Sequence, residues 1–389
     1  MEKRNVPKLR FKGFEDEWKS EVLGRFIKER VEKTESNGEY PLYSLTIEEG
    51  VVPKSERYER EFLVKKDGNF KVVYKNDFVY NPMNLRFGAL AVYKGDSPVG
   101  VSGYYNIFKF NNENSNFWIN YLKTSRMMYL YNTIATGSLE EKKRVHYSQF
   151  KDLNLKIPSL EEQTKIATFL SNVDNIIEEQ EGKVKDLEQY KKGMMQKIFK
   201  QQVRFKDENG EEYSEWEEKK LGECIVCLDN MRKPLNSTER QEMKGNIPYY
   251  GANGIVDYIN DFIFDERLIL LAEDGGNFDE FATRPIAQII TGKSWINNHA
   301  HVLKAKENYI DYIFYTLVHK DIRQYINGTS RAKLNKSDML DIKIDIPCIE
   351  EQTKIANFLS NIDNIIEEEK KKLEDLKLWK KGLLQQMFV

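Results

Sequence analysis

Three short motifs in the 389-residue sequence have residue types that do chemistry. Cys224-x-x-Cys227 is half of a tetrahedral zinc site, and His299-Ala-His301 offers the nitrogen donors that zinc accepts. One close cysteine pair is too few ligands, and alternating histidines on a strand point to opposite faces. Gly292-Lys293-Ser294 matches the end of a phosphate-binding loop, but Ala287 stands where its first glycine must be, so the backbone cannot wrap a phosphate there. Tyr80-Asn81-Pro82-Met83 approaches the Asn-Pro-Pro-aromatic loop of adenine methyl transfer without its second proline or its aromatic. A strand-ending turn explains it better. Four histidines and no motif-grade nucleophile constellation leave the catalytic and metal sets both read as none.

Charge is the stronger signal. Sixty basic against sixty-two acidic side chains give a net −2, which excludes coating nucleic acid by bulk charge but not a local basic face. Residues 71–150 carry ten basic and five acidic side chains, and residues 281–340 carry nine and four, so both stretches stand at +5. Residues 221–280, by contrast, carry five and twelve. Each positive stretch ends in a cluster after a glycine-containing turn: Lys142, Lys143 and Arg144 with Tyr147, and Arg331, Lys333 and Lys336 with Asn335. Lysine and arginine neutralise phosphates while amides read base edges, so these residues, with Lys293 and Asn298, are the candidate DNA contacts. A solvated face is the ordinary reading of a charge cluster, but recurrence at matching places in two unlike stretches argues for function. Tyr104, Tyr105, Trp295 and Asn297 are further groove candidates, although core packing explains the aromatics equally well.

The elements that must position these residues are written twice. Residues 158–199 return at 347–388 with 26 of 42 positions identical, which marks a duplication. A weaker echo opens each half: Arg10-Phe11-Lys12, Trp18 and Leu23-Gly24 recur as Arg204-Phe205-Lys206, Trp216 and Leu221-Gly222. The repeated segment reads as a long helix, with Ser159 and Glu162 as a capping box and Lys191, Lys192 and Lys197 toward its C-terminal end. Its apolar residues keep a seven-residue period, which an isolated helix loses by ~20° per heptad and a coiled coil maintains. The expected coiled-coil core is Ile166, Leu170, Val173, Ile177, Val184 and Leu187 in the first copy. In the second it is Ile355, Leu359, Ile362, Ile366, Leu373 and Leu376. Polar residues share core slots in both copies (Gln180 and Glu369, Lys191 and Lys380), which implies a specified register. Paired antiparallel, about 40 residues at 1.5 Å rise make a ~60 Å rod, long enough to hold two DNA half-sites a fixed distance apart.

Between the helices, Lys71–Tyr74, Phe78–Tyr80 and Leu268–Leu271 read as strands, and 116–133 and 309–324 as helical patterns. The fold class expected is α+β: two mixed α/β domains joined by two long helices in an antiparallel coiled coil, with an internal pseudo-twofold repeat. The domains are set at 1–157 and 201–346, and the spacer helices at 158–200 and 347–389. Three cysteines cannot build a disulfide framework, and neither a signal peptide nor a membrane-length apolar run is visible, so the chain is expected to be cytoplasmic.

The duplicated Ile-Pro-x-x-Glu-Glu-Gln-x-Lys-Ile-Ala segments, together with Pro7-Lys8-Leu9-Arg10-Phe11, Trp18 and Leu23-Gly24, resemble the specificity (S) subunits of type I restriction–modification systems. Leu270–Gly276 and Asn297–Val302 resemble the target-recognition domains of that family, and the resemblance covers essentially the whole chain. It implies a non-catalytic subunit that reads a bipartite, asymmetric site in double-stranded DNA. Two methyltransferase (M) subunits and restriction (R) subunits would dock on it, through outward helix positions and not the buried stripe. S-adenosylmethionine, ATP and magnesium would belong to those partners, with no cofactor held by this chain. The first domain lacks counterparts of the Leu-Ala-Glu-Asp-Gly and His-Ala-His stretches, so its half-site should differ. The competing class is a coiled-coil scaffold joining proteins without DNA specificity, whose DNA binding would be negligible at any salt concentration.

Overall fold

The computed structural model describes residues 6–34, 40–54, 70–111, 114–328 and 332–389. It resolves into two compact units, Met1–Gly182 with Lys371–Val389, and Lys183–Lys370. Each unit takes one part of both long helices, Leu160–Phe199 and Ile349–Met387.

In the first unit, Phe78–Tyr80 lies between Asn106–Phe110 and Leu90–Val92 in a four-stranded antiparallel sheet that Ile27–Arg30 completes. Its buried face is aromatic: Phe78, Tyr80, Phe108 and Phe110 pack with Phe117, Trp118 and Phe150, and the Phe110 and Trp118 rings stack at 4.4 Å. The helical pattern over 116–133 is two helices, Ser115–Leu122 and Ser125–Ile134. The chain breaks at Thr124, whose extended backbone lets its hydroxyl accept from the Met127 amide at 3.3 Å.

In the second unit, the wholly buried strand Leu268–Ala272 sits between Ala300–Ala305 and Ala287–Ile290, with Ile225–Cys227 at the far edge. A second sheet orders Gly254–Ile259, Lys244–Gly251, Lys293–Ile296 and Phe264–Asp265. The helix expected over 309–324 stops early, at Ile310–Leu317, followed by a short 3-10 turn at Arg323–Tyr325.

The units share a framework. Strand Lys19–Val22 pairs with Asn154–Ile157, and Glu217–Lys220 pairs with Lys343–Ile346 in the equivalent register. The repeated Leu-Gly after each first strand has a steric cause. A Cβ on Gly24 would stand 3.1 Å from the Lys151 carbonyl oxygen, and one on Gly222 would stand 3.1 Å from Leu340 Cβ. The repeated arginine has one too. Arg10 donates from Nε and one terminal nitrogen to both oxygens of buried Glu162, at 2.7 and 2.8 Å, and Arg204 does the same to buried Glu351 at 3.3 and 2.8 Å. Ser159 caps the first long helix by accepting from the Glu162 amide at 3.3 Å. The reciprocal half of the capping box is not made, because Arg10 holds that carboxylate instead.

Within each unit the helix segments run antiparallel. In the first unit Lys380 pairs with Asp174 and Lys377 with Glu181, over buried Ile166, Leu170, Val173, Ile177 and Leu383, while Leu373 and Leu376 are half-buried. In the second unit Lys191 pairs with Asp363, Lys370 with Glu188 and Lys183 with Glu369. Val184, Ile355, Leu359, Ile362 and Ile366 are buried there, with Leu187 half-buried. Asp174 and Lys191 return as Asp363 and Lys380 at the duplication offset, so the same bond is made twice with the copies exchanged. The lysines in core slots therefore have fixed partners, which specifies the register. This is the α+β, internally repeated fold that the duplication implied.

Gly182 lies exposed in the first long helix, and a Cβ built there meets nothing within 4 Å. Gly182→Ala should therefore stabilise the protein by about 1 kcal/mol, read as a higher midpoint in chemical denaturation.

Candidate nucleic-acid interface

The second basic cluster is built onto the end of the buried strand of its unit. Lys333–Leu334 pairs with Ile326–Asn327, and the Leu334 amide donates to the Glu273 carbonyl at 2.7 Å. The Leu334 carbonyl faces Nε2 of buried His301 at 2.9 Å, while His301 Nδ1 meets Asp229 at 2.6 Å. Arg232 donates to Glu273 at 2.6 Å and lies 3.3 Å from Asp229, and Lys333 reaches Glu273 at 3.1 Å. Burial alone would raise the Asp229 carboxyl, but the bond and charge of His301, with the Val302 amide and Arg232, outweigh it and hold the group below its ordinary range. Glu273 is lowered in the same way, against its burial, by Arg232 and Lys333. This network holds Lys333, Asn335 and Lys336 in place at the surface. Asn335 precedes the short helix Lys336–Leu340 and donates to Asp338 at 3.1 Å. Lys336 is exposed in the first turn of that helix, where a cation gains nothing from the dipole, so its charge is not explained by the fold. Arg331 lies outside the described residues.

The first cluster is looser. Lys142 and Arg144 are exposed, while Lys143 is paired with Glu140 at 2.6 Å, and Arg86 binds the same carboxylate. Tyr147 is half-buried with its ring 6.5 Å from Phe108, and burial pushes its hydroxyl up to about 12. Its ring packs on the core of its unit, which leaves less of it for a groove.

The motif-derived candidates separate. Lys293 is exposed, with its ammonium 4.6 Å from the centre of the Phe262 ring. Gly292 sits at φ +82 in the turn between Ala287–Ile290 and Lys293–Ile296, strands of different sheets, so no phosphate cradle forms. Asn81 accepts from the Met83 amide at 3.0 Å in a turn after Phe78–Tyr80. Trp295 is buried and donates to the Lys233 carbonyl at 2.7 Å. Cys227, Asp229 and His301 place one donor atom each within 4.8 Å of one another, but Cys224 is not among them. Both His301 nitrogens already face protein acceptors and Arg232 sits beside Asp229, so the arrangement is a side-chain network with its own cation.

Asn298 belongs to a feature the sequence did not announce. An open cleft of about 600 Å³ is lined by Arg240, Asn253, Ile255, Val256, Asp274, Asn298 and His299, among others. One wall is the hairpin of Lys244–Gly251 and Gly254–Ile259, whose Asn253-Gly254 corner puts Gly254 at φ +135. His299 Nδ1 is bonded to Asp274, and Asn253 donates to the Gly275 carbonyl at 2.8 Å. Asn298 is exposed. Its neighbour Asn297 is buried and accepts from the His299 amide at 2.8 Å, which fixes the turn.

Among the described residues no helix is long and apolar enough to cross a membrane. The family model described as the type I restriction modification DNA specificity domain matches the chain twice, at residues 21–189 and 213–378. A putative type I restriction enzyme specificity subunit of Haemophilus influenzae, S.HindORF215P, is 36% identical over 159 residues, 40% of this chain and 40% of that one. The putative MjaX specificity subunit of Methanocaldococcus jannaschii is 27% identical over 327 residues, 79% of this chain and 76% of that one. The crystal structure of a type I restriction-modification S subunit from M. genitalium superposes with a TM-score of 0.59 at 18% identity, covering 99% of both chains.

Proposed function

The chain belongs to the type I restriction–modification DNA specificity family, and on that footing we propose that it is a specificity subunit that reads a bipartite, asymmetric site in double-stranded DNA. It does no chemistry of its own; S-adenosylmethionine, ATP and magnesium serve the methyltransferase and restriction subunits that dock on it. The observation that carries this reading is that the chain repeats its framework and varies what the framework presents. Strand register, arginine–glutamate lock and long helix occur twice, while the sheets between them differ, as two different half-sites require. Docking is supported by apolar residues left outside at equivalent positions of the two helices. Ile176 and Ile365 are 47% and 46% exposed, Tyr190 and Trp379 52% and 46%, and Leu160 and Ile349 are exposed as well. Apolar side chains that recur on an outward face mark a contact surface, and two equivalent sets suit two copies of one partner.

The deciding experiment maps methylated adenines across the host genome with and without this gene. Loss of one bipartite motif on deletion supports the reading; an unchanged methylome in a host with active partner subunits overturns it. Phosphate binding has its own test. Replacing Arg331, Lys333 and Lys336 by alanine should weaken binding to all duplexes alike, reducing the slope of log affinity against log salt by about one for each phosphate no longer neutralised. Lys336 should contribute more than Lys333, whose charge is already shared with Glu273. Unchanged affinity and slope would remove the cluster from the interface.

A further inference from the structure

We infer that the hairpin cleft of the second unit reads base edges in one half-site only, with Asn298 as the principal reader and His299 held beside it by Asp274. The inference rests on the specificity-subunit reading and adds the residues that set its sequence preference.

The division of chemistry points this way. Neutralising phosphates requires cations, and the exposed cation Lys336 lies on the segment that Leu334 ties to Glu273, outside the cleft. The arginine that lines the cleft is occupied: Arg240 donates to Asp257 at 3.1 Å and to the Leu235 carbonyl at 2.7 Å. What the cleft offers instead, beside the Asp274–His299 pair, is a set of directional carboxamides. Asn298 presents a whole carboxamide, a donor and an acceptor side by side, which is the pattern that pairs with the N6 and N7 edge of adenine. Asn253 has committed one amide N–H to the Gly275 carbonyl, and its oxygen stands as an acceptor. His299 has committed Nδ1 to Asp274, which fixes the ring and leaves Nε2 for a ligand.

The hairpin adds shape. A two-stranded ribbon fits the major groove, and this one carries Ile255, Val256 and Tyr258, which are 46%, 57% and 51% exposed. Water is a poor partner for such residues, whereas the thymine methyl group in the major groove is a good one. A carboxamide opposite adenine and an apolar side chain opposite thymine describe one base pair seen from both strands. The preferred target is therefore an A·T pair within the half-site of this unit.

The test is the methylome of strains carrying full-length Asn298→Ala, and separately Val256→Ala. The expected result is a bipartite motif in which one half loses its requirement for an A·T pair, by roughly 10- to 100-fold in relative occupancy for Asn298→Ala, while the other half and the spacer stay as in the parent. Asp274→Ala should blur the same half, because the ring loses its anchor. Both halves unchanged in Asn298→Ala would overturn the inference while leaving the specificity reading intact. A parent strain without any motif that depends on this gene would overturn the specificity reading itself. If methylation disappears in Asn298→Ala, purified full-length protein decides. Equal affinity for the parental site and for a duplex with that half scrambled, at an unchanged melting temperature, supports the inference. Retained discrimination between the two duplexes, or a lowered melting temperature, counts against it.

Discussion

Replacing Arg204 by alanine should destabilise its unit by about 3–5 kcal/mol, among the largest single-residue effects expected in this chain. The argument runs through Glu351, whose side chain is fully buried at the first turn of the second long helix. Its two oxygens accept from Arg204, and one also accepts from the Trp216 indole at 3.0 Å. Without the guanidinium a buried carboxylate keeps a single neutral donor and no counter-charge. The carbonyls of Tyr213 and Ser214, bonded to Arg204 at 3.2 and 2.7 Å, lose their donor as well. Arg10→Ala should cost at least as much in the first unit, because the Trp18 indole N–H has no partner among the described residues and Glu162 lacks that second donor. Removing both charges of a pair with apolar residues of similar size should recover much of the loss, since the damage comes from the orphaned charge more than from the missing bond. Denaturant midpoints of Arg204→Ala, Glu351→Leu and the double variant make the measurement. A loss below about 1 kcal/mol for Arg204→Ala would show that water reaches Glu351 and that the lock is not needed.

That lock shows where a sequence stops being legible. The recurrence of Arg10 and Trp18 as Arg204 and Trp216 is plain, but its purpose joins residues 152 and 147 positions apart, and no local pattern encodes such a pairing. Glu162 was readable as a capping residue because that role is local, yet the tertiary arginine takes the carboxylate. The helix stripe was legible for the same reason that the lock was not, since a seven-residue period is written within one segment. Even so, the period slips near the C-terminal end of the first helix, while Leu383 and Met387 keep it in the second. Met195 is buried and Met194 half-buried, because the stripe there turns toward the core of its unit. The cleft was least legible. Its walls come from separate segments between Pro234 and His299, and composition reports none of their convergence. Asn298 was found through its motif, while Asn253, Ile255 and Val256 needed the fold.

Deleting one heptad from each long helix should change the spacer between the two half-sites and leave the half-sites themselves alone. The ion pairs Asp174–Lys380 and Lys191–Asp363 set a register in which residues 180–186 of the first helix stand opposite 368–374 of the second. Removing both stretches keeps the seven-residue phase, so the apolar stripe and the flanking ion pairs can re-form. Removing only one keeps the stripe but shifts the helices by a heptad against each other, so that Asp174–Lys380 and Lys191–Asp363 can no longer both form, and should weaken the pairing. Seven residues at 1.5 Å shorten each helix by ~10 Å, which at 3.4 Å per step of one strand is about three base pairs. The expected methylome is the parental motif with a spacer shorter by about that amount. Because three base pairs also rotate the duplex by roughly a quarter turn, a matching seven-residue insertion in both helices serves as the second arm and should lengthen the spacer instead. The outcome that sinks the idea is a parental spacer in either variant. Helix length would then not set the spacing, and the repeated charge register would be needed for folding alone.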